Sequence, residues 1–147
     1  MRQIFQEMRL HQLDRTLEPF RVAQQVPRPS RGWLRAIRQA LGISARELAQ
    51  LTGTSRQLPL QLEKAEADDS ITLKSLRKLA AALDCDLVYA LVPKQGTMQQ
   101  LLESRARAQA TRRVLQVEHS MALEDQAAGH LDEAIEAETR RLLTQRA

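Results

Sequence analysis

Four side chains between positions 56 and 64 have the chemistry needed to hydrogen-bond the edges of nucleic-acid bases. Arg56 suits two-bonded pairing with guanine, and Gln57 and Gln61 suit the same kind of pairing with adenine. Lys64 adds a cationic donor three residues further on. The contacts to phosphate oxygens that such an interface requires could come from four upstream arginines, Arg28, Arg31, Arg35 and Arg38.

Two capping boxes predict the helices that would present these side chains. Ser44 and Glu47 form the first box and start a helix over residues 45–51, which Gly53 can end by adopting a positive φ. Thr54 and Gln57 form the second box, and start a helix that runs to about residue 66. A helix, a glycine turn and a second helix are the helix-turn-helix arrangement, whose second helix lies in the major groove of DNA.

The segment Leu41–Ala67 resembles the Cro- and phage-repressor-like helix-turn-helix family. This resemblance implies an all-α fold of the lambda-repressor type and binding to double-stranded DNA. Apolar spacing predicts two further helices at 33–41 and 73–83, the second capped by Thr72. Five residues fall where the family's pattern has them, namely Ala49, Gly53, Ser55, Leu62 and Glu63.

Pro59 departs from that family, which usually has a buried Val or Ile at this position. Proline in a helix interior removes a backbone hydrogen bond and costs ~3 kcal/mol, but the cost is smaller in the first turn. We therefore expect the second helix to begin late, at residues 58–59, with Arg56 and Gln57 in the turn.

The segment CDLVYALV, Cys85–Val92, is rich in β-forming residues and predicts one short strand that ends at Pro93. A single strand leaves its backbone groups unpaired, and the sequence contains no convincing second strand. The simplest partner is the same strand of a second copy, which would place two recognition helices for a palindromic site. The dimer contacts would then come from Leu87, Tyr89 and Leu91; the alternative is an extended segment that is buried over the helical core.

Charge divides the chain into a basic front and a slightly acidic back. Residues 1–95 contain 15 Lys and Arg against 10 Asp and Glu, and residues 96–147 contain 7 Arg against 8 Asp and Glu. We predict an N-terminal helical arm and linker at 1–31, with its helix over 1–25. The DNA-binding domain would occupy 32–93, and a helical partner-binding segment with a break near Gly129 would occupy 94–147. The lone Cys85 and the absence of a long apolar run favour a cytoplasmic protein.

Three further stretches make the chain resemble the family named mobile mystery protein A. They are RLHQLDRTLEPFR at 9–21, RGWLRAIRQALG at 31–42 and ITLKSLRKLAAALDCDLVYALVP at 71–93. Members of that family are typically encoded beside a protein with a Fic domain, an enzyme class that usually transfers AMP to hydroxyl side chains. The resemblance implies a toxin–antitoxin pair in which this chain is the antitoxin and represses its own operon.

The same resemblance implies a function for the segment SMALED, Ser120–Asp125. Fic enzymes are held inactive by a helix with the pattern Ser/Thr-x-x-x-Glu-Gly/Asn, whose glutamate pairs with an active-site arginine. Ser120 and Glu124 match this pattern, whereas Asp125 stands in place of Gly or Asn. Residues four apart share a helix face, so both side chains could enter one cleft.

No metal site, cofactor or catalytic centre is expected. The three histidines, His11, His119 and His130, are far apart in sequence, and a single cysteine is too few to form a set of metal ligands. The sequence also contains no glycine-rich phosphate-binding loop. Two other hypotheses about the function are compatible with the sequence. The chain could be a plain regulator of a mobile element with a structural tail, or a Fic inhibitor whose helix-turn-helix no longer reads DNA because of Pro59.

Overall fold

The computed structural model describes residues 1–121 and 128–145, with the side chains of 1–117 and 130–145. The described residues divide into two units, one formed by Val22–Ala90 and the other by Met1–Arg21 with Leu91–Ala147. The helices are α1 (Arg2–Leu17), α2 (Trp33–Ala40), α3 (Ala45–Thr52), α4 (Leu58–Ala67), α5 (Leu73–Ala82), α6 (Met98–Met121) and α7 (Ala128–Gln145).

The first unit is a small bundle of α2 to α5 around an aliphatic core. The almost completely buried leucines are Leu34 of α2, Leu48 of α3, Leu79 of α5 and Leu83 at the end of α5. Each buried leucine contributes about 1.5–3 kcal/mol relative to its exposed state. The Thr72 hydroxyl accepts from the backbone N–H of Ser75 at 3.1 Å and starts α5, as the sequence predicted.

The N-terminal helix is shorter than its apolar spacing predicted. α1 ends at Leu17, and 3-10 turns follow at Glu18–Phe20 and Val22–Gln25. Pro19 explains the stop, because it has no N–H to donate to an α-helical ladder. The predicted helix over 1–25 is therefore wrong beyond residue 17.

The second unit begins α6 with a capping box that the sequence analysis did not identify. The Thr97 hydroxyl accepts from Gln100 N–H at 3.0 Å, and the Gln100 side chain accepts from Thr97 N–H at 2.9 Å. The Asp14 carboxylate of α1 also accepts from the N–H of Met98 at 2.7 Å. These bonds satisfy donors that a helix start leaves unpaired, and they tie α1 to the start of α6.

Helices α6 and α7 pack side by side in the second unit. Ala106 and Ala110, four residues apart on α6, are fully buried, and Leu142 is buried on α7. Glu138 on α7 accepts from Arg113 of α6 at 3.1 Å and from Arg141 at 2.8 Å. The hydrogen bonds from Arg141 and then Arg113 lower the pKa of Glu138 to about 2.

The expected strand needs correction, whereas the expected division of the tail does not. The described residues contain no strand, so the strand predicted at Cys85–Val92 is not formed within the single chain. The physical reason is that a strand needs a neighbour, and no other strand lies within the described residues to pair with it. The tail was expected to be helical with a break near Gly129, and the structure has two separate helices there, α6 ending at Met121 and α7 beginning at Ala128.

Candidate nucleic-acid interface

The helix-turn-helix is built by local capping and one glycine. The Ser44 hydroxyl accepts from the backbone N–H of Glu47 at 3.1 Å and starts α3, which confirms the predicted cap by Ser44. Gly53 has φ +64° directly after α3, a left-handed conformation that glycine adopts without strain. The chain then turns through residues 54–57 and enters α4 at Leu58.

Pro59 is the second residue of α4, so the expected late start of this helix is confirmed. Its missing N–H would have been unpaired in the first turn in any case, and its ring is fully buried in the first unit. The second capping box is wrong. Thr54 shares a hydroxyl hydrogen bond with Thr52 at 2.9 Å, and α4 begins without a side-chain cap.

The side chains predicted to read bases lie at the surface. Gln61 and Lys64 are exposed on α4, and Arg56 and Gln57 are exposed in the turn before it. Positions 57, 61 and 64 are separated by four and three residues, so they follow one face of the helix. Leu60 lies on the same face and is 52% exposed, and the sequence analysis overlooked it. The spacing from Gln57 to Leu60 to Lys64 could have revealed it.

The opposite face of α4 holds a buried ion pair. Arg38 of α2 is 9% exposed, and its guanidinium donates to both carboxylate oxygens of Glu63, with the Nη2–Oε2 distance 3.2 Å. Arg38 also donates to the carbonyl of Ile43 at 3.0 Å, and its hydrogen bond to Glu63 raises the pKa of Arg38. The expected phosphate contact by Arg38 is therefore wrong, because this guanidinium faces the interior. The four-residue spacing from buried Leu34 was the signal that could have shown it.

A second buried carboxylate on α4 caps the start of α2. Glu66 accepts from the backbone N–H of Trp33 at 3.0 Å and from that of Leu34 at 2.8 Å. Gly32 precedes them with φ +89°, and a Cβ at this position would meet the Glu66 carboxylate oxygen at 2.5 Å. Only glycine fits here, because a side chain would be strained by both the backbone and the carboxylate.

Arg28 is held at the far end of α4. It donates to the carbonyls of Glu66 at 3.1 Å and Ala67 at 3.2 Å, and it pairs with the Asp69 carboxylate at 2.8 Å. Arg28 thus caps the last carbonyls of α4, a favourable place for a cation, and because it stays exposed its predicted phosphate contact is still a prediction. Of the predicted phosphate contacts, Arg31 is exposed and Arg35 is half-buried.

The predicted dimer residues have unequal surroundings. Leu87 is half-buried and lines a groove of about 240 Å³ with Trp33, Ile37 and Leu76. Tyr89 and Leu91 are exposed, and so is Val88 between Leu87 and Tyr89. The segment thus combines one side chain that packs on its own unit with three apolar side chains that do not.

The predicted toxin-inhibitory pair falls mostly outside the described residues. Ser120 is in the last turn of α6, but its side chain is not among those described. Glu124 lies outside the described residues altogether. The geometry of this pair is therefore still a prediction from the sequence.

Within the parts of the chain described, no group of three or more His, Cys, Asp or Glu side chains is close enough to hold a metal ion. None of the described helices combines the length and apolar character that crossing a bilayer requires.

Comparison with known proteins gives one match. Residues 34–89 match the family described as Helix-turn-helix, of the Cro/C1 type. No curated protein and no solved structure matches the chain. The matched range begins in α2 and ends after α5, so it contains the capped α3, the turn and α4. The region 34–89 is thus a phage-repressor-like helix-turn-helix domain, and the match supports a DNA-binding transcriptional regulator.

Proposed function

We propose that the protein is a sequence-specific transcriptional regulator that inserts α4 into the major groove of DNA. The observation that carries this proposal is the division of α4 into two faces. Glu63 and Glu66 fix the inner face to α2. The outer face presents Gln61 and Lys64 to solvent, with Arg56 and Gln57 beside its start. Rigid presentation of donors is what base reading needs.

Affinity would come largely from cationic side chains that meet phosphates. Arg31 and Arg35 stay in this set, as does the exposed Arg28, whereas Arg38 has its partner inside the protein. Binding should weaken steeply as salt concentration rises, because each phosphate contact releases a counterion.

The test begins with selection of a binding site from random duplexes by the full-length protein. Its affinity is then compared with that for a scrambled duplex at several salt concentrations. Gln61→Ala should lose discrimination at one base pair, by about 1–3 kcal/mol. Gln50→Ala is the matched control, because Gln50 is an exposed glutamine on α3 rather than α4. Equal affinity for selected and scrambled duplexes would exclude specific regulation.

We further propose that two copies pair through Cys85–Val92. The support is that this segment forms no strand within one chain and exposes Val88, Tyr89 and Leu91. Leu91→Glu should convert a dimer to a monomer in sedimentation and weaken binding to a palindromic site. A wild-type protein that sediments as a monomer at micromolar concentration would contradict the pairing.

The finer proposal is that the protein is the antitoxin of a Fic-type toxin, represses its own operon and blocks AMP transfer with Glu124. Its support is the resemblance to mobile mystery protein A and the Ser120–Glu124 spacing. The stretch Glu118–Glu138 contains no Lys or Arg that would compete for Glu124. An arginine of a partner could then form a specific two-bonded pair with this carboxylate.

This role is tested by co-expression with a candidate Fic-domain protein, pull-down and an AMP-transfer assay. Glu124→Ala should keep the complex and restore transfer, whereas Glu133→Ala, an exposed acid on α7, should leave inhibition intact. A complex that Glu124→Ala inhibits equally well would refute the role of Glu124. Absence of a complex would favour the plain regulator of a mobile element.

The other alternative, a Fic inhibitor with a degenerate helix-turn-helix, depended on damage to α4 by Pro59. The position of Pro59 in the first turn leaves α4 continuous to Ala67. This geometry favours a helix that still reads DNA.

A further inference from the structure

We propose that Leu60 and Gln61 of α4 read an A·T pair, with Leu60 against the 5-methyl group of a thymine and Gln61 on the adenine of the same or a neighbouring pair. The inference rests on the proposed insertion of α4 into the major groove, and it names the kind of base pair that these two side chains fit.

Leu60 occupies the middle of the outward face of α4. Gln57 is three residues before it and Lys64 is four residues after it, so the three side chains follow one stripe. Gln61 is adjacent to Leu60 along the helix and is also exposed. Any base pair that Gln61 reaches in the groove would therefore be close to the Leu60 side chain.

Leu60 is not used by the core of its own unit. That core is formed by Leu34, Leu48, Leu79 and Leu83, with half-buried Leu62 as the α4 leucine that packs against it. Leu60 remains 52% exposed. Single exposed leucines are common on protein surfaces, so exposure alone does not assign a role. What assigns a role to Leu60 is its position among exposed hydrogen-bond donors on the helix proposed to enter the major groove.

The chemistry of Leu60 and Gln61 matches an A·T pair, whereas the exposed Arg56 and Lys64 beside them suit guanine. Glutamine pairs with adenine N6 and N7, and an apolar side chain packs on the thymine methyl, both in the major groove. A carboxylate is the group that accepts from cytosine N4. The acids of α4 are Glu63 and Glu66, and both are buried against α2. No carboxylate of α4 is thus available to read cytosine.

The experiment uses the full-length protein and the duplex obtained by selection from random sequence. Each thymine of that duplex is replaced in turn by deoxyuridine, which removes only the 5-methyl group and keeps every hydrogen-bonding atom. Wild-type protein should lose about four-fold in affinity at one position per half-site, the value of one buried methyl group. Leu60→Ala should bind the unmodified duplex more weakly and show no loss at that position.

Leu51→Ala is the matched control, because Leu51 is 60% exposed on α3 and the substitution removes the same atoms. This variant should keep the four-fold deoxyuridine penalty. A selected site whose wild-type affinity is indifferent to every thymine methyl would overturn the inference and leave the proposed regulator intact. A penalty that persists unchanged in Leu60→Ala, or a contacted core of G·C pairs, would overturn it too. Failure to select any preferred duplex would remove the regulator proposal, and this inference with it.

Discussion

The two units of the protein use arginine–carboxylate pairs in opposite ways. In the first unit the Arg38–Glu63 pair is buried between α2 and α4. In the second unit Glu138 binds Arg113 and Arg141, and both guanidinium groups are about half exposed. A buried pair costs much when one partner is lost, whereas an exposed pair contributes little. The buried pair thus fixes α4 against α2 in the first unit. In the second unit, α6 and α7 are held mainly by close packing, in which the small residues Ala106 and Ala110 are fully buried.

The largest expected effect separates the two pairs directly. Glu63→Ala would leave the Arg38 guanidinium buried without its carboxylate and should lower the free energy of unfolding by about 3–5 kcal/mol. Trp33 is the sole tryptophan and begins α2, so urea unfolding followed by its fluorescence reports on the first unit. Glu138→Ala is the control in the second unit, where unfolding is followed by circular dichroism, and it should change stability far less. Equal losses for both variants would break the comparison.

The second largest expected loss of stability comes from overpacking the second unit. Ala110 is completely buried on α6, so Ala110→Leu would force its neighbours apart at a cost of about 1–3 kcal/mol. The loss should appear in thermal unfolding followed by circular dichroism. Ala108→Leu is the matched control on the same helix, because Ala108 is exposed. If both substitutions prove equally harmless, small residues are not what holds α6 in place.

The capping hydroxyls offer the same test in each unit. Ser44→Ala and Thr97→Ala each remove a hydroxyl that accepts from a backbone N–H, and each should cost about 1 kcal/mol. The loss from Ser44→Ala should appear in Trp33 fluorescence, and that from Thr97→Ala in helical content. Thr111→Ala is a control within α6, because its hydroxyl bonds back to the Arg107 carbonyl and caps nothing. A loss as large at Thr111 would show that the caps have no special value.

The smallest effect is a pH dependence confined to the second unit. The folded pKa of Glu138 is about 2, below the ordinary value of 4.5, so its ionised form favours the folded state. This contribution is present above pH 4.5 and is lost as the pH falls towards 2. Titration of helical content should show a loss in that range that Glu138→Gln reduces. The same profile in both proteins would assign the acid sensitivity to other carboxylates.

Local signals made much of the first unit predictable. Ser44, Gly53 and Thr72 act through neighbours three to five residues away, so their spacing identifies helix starts and ends. The family resemblance and Pro59 together located the start of α4 at Leu58. These features depend on backbone rules that do not require knowledge of the tertiary structure.

The contacts that the sequence did not reveal join side chains to partners that are distant in sequence. Arg38 pairs across 25 residues, and Arg28 reaches carbonyls and a carboxylate about 40 residues away. A sequence shows that a cation is present, but only packing decides whether its charge faces solvent or a buried carboxylate. The strand at Cys85–Val92 failed for a related reason, since β-propensity identifies a tendency to pair and cannot supply the second strand.

The placement of Pro59, Glu63 and Glu66 on one side of α4 has a practical consequence for engineering. The residues that anchor this helix are separate from Gln57, Leu60, Gln61 and Lys64 on its other side. A library that varies only these four positions would keep the anchoring contacts in every member. The helix could therefore be retargeted to new operators without redesign of the scaffold that carries it.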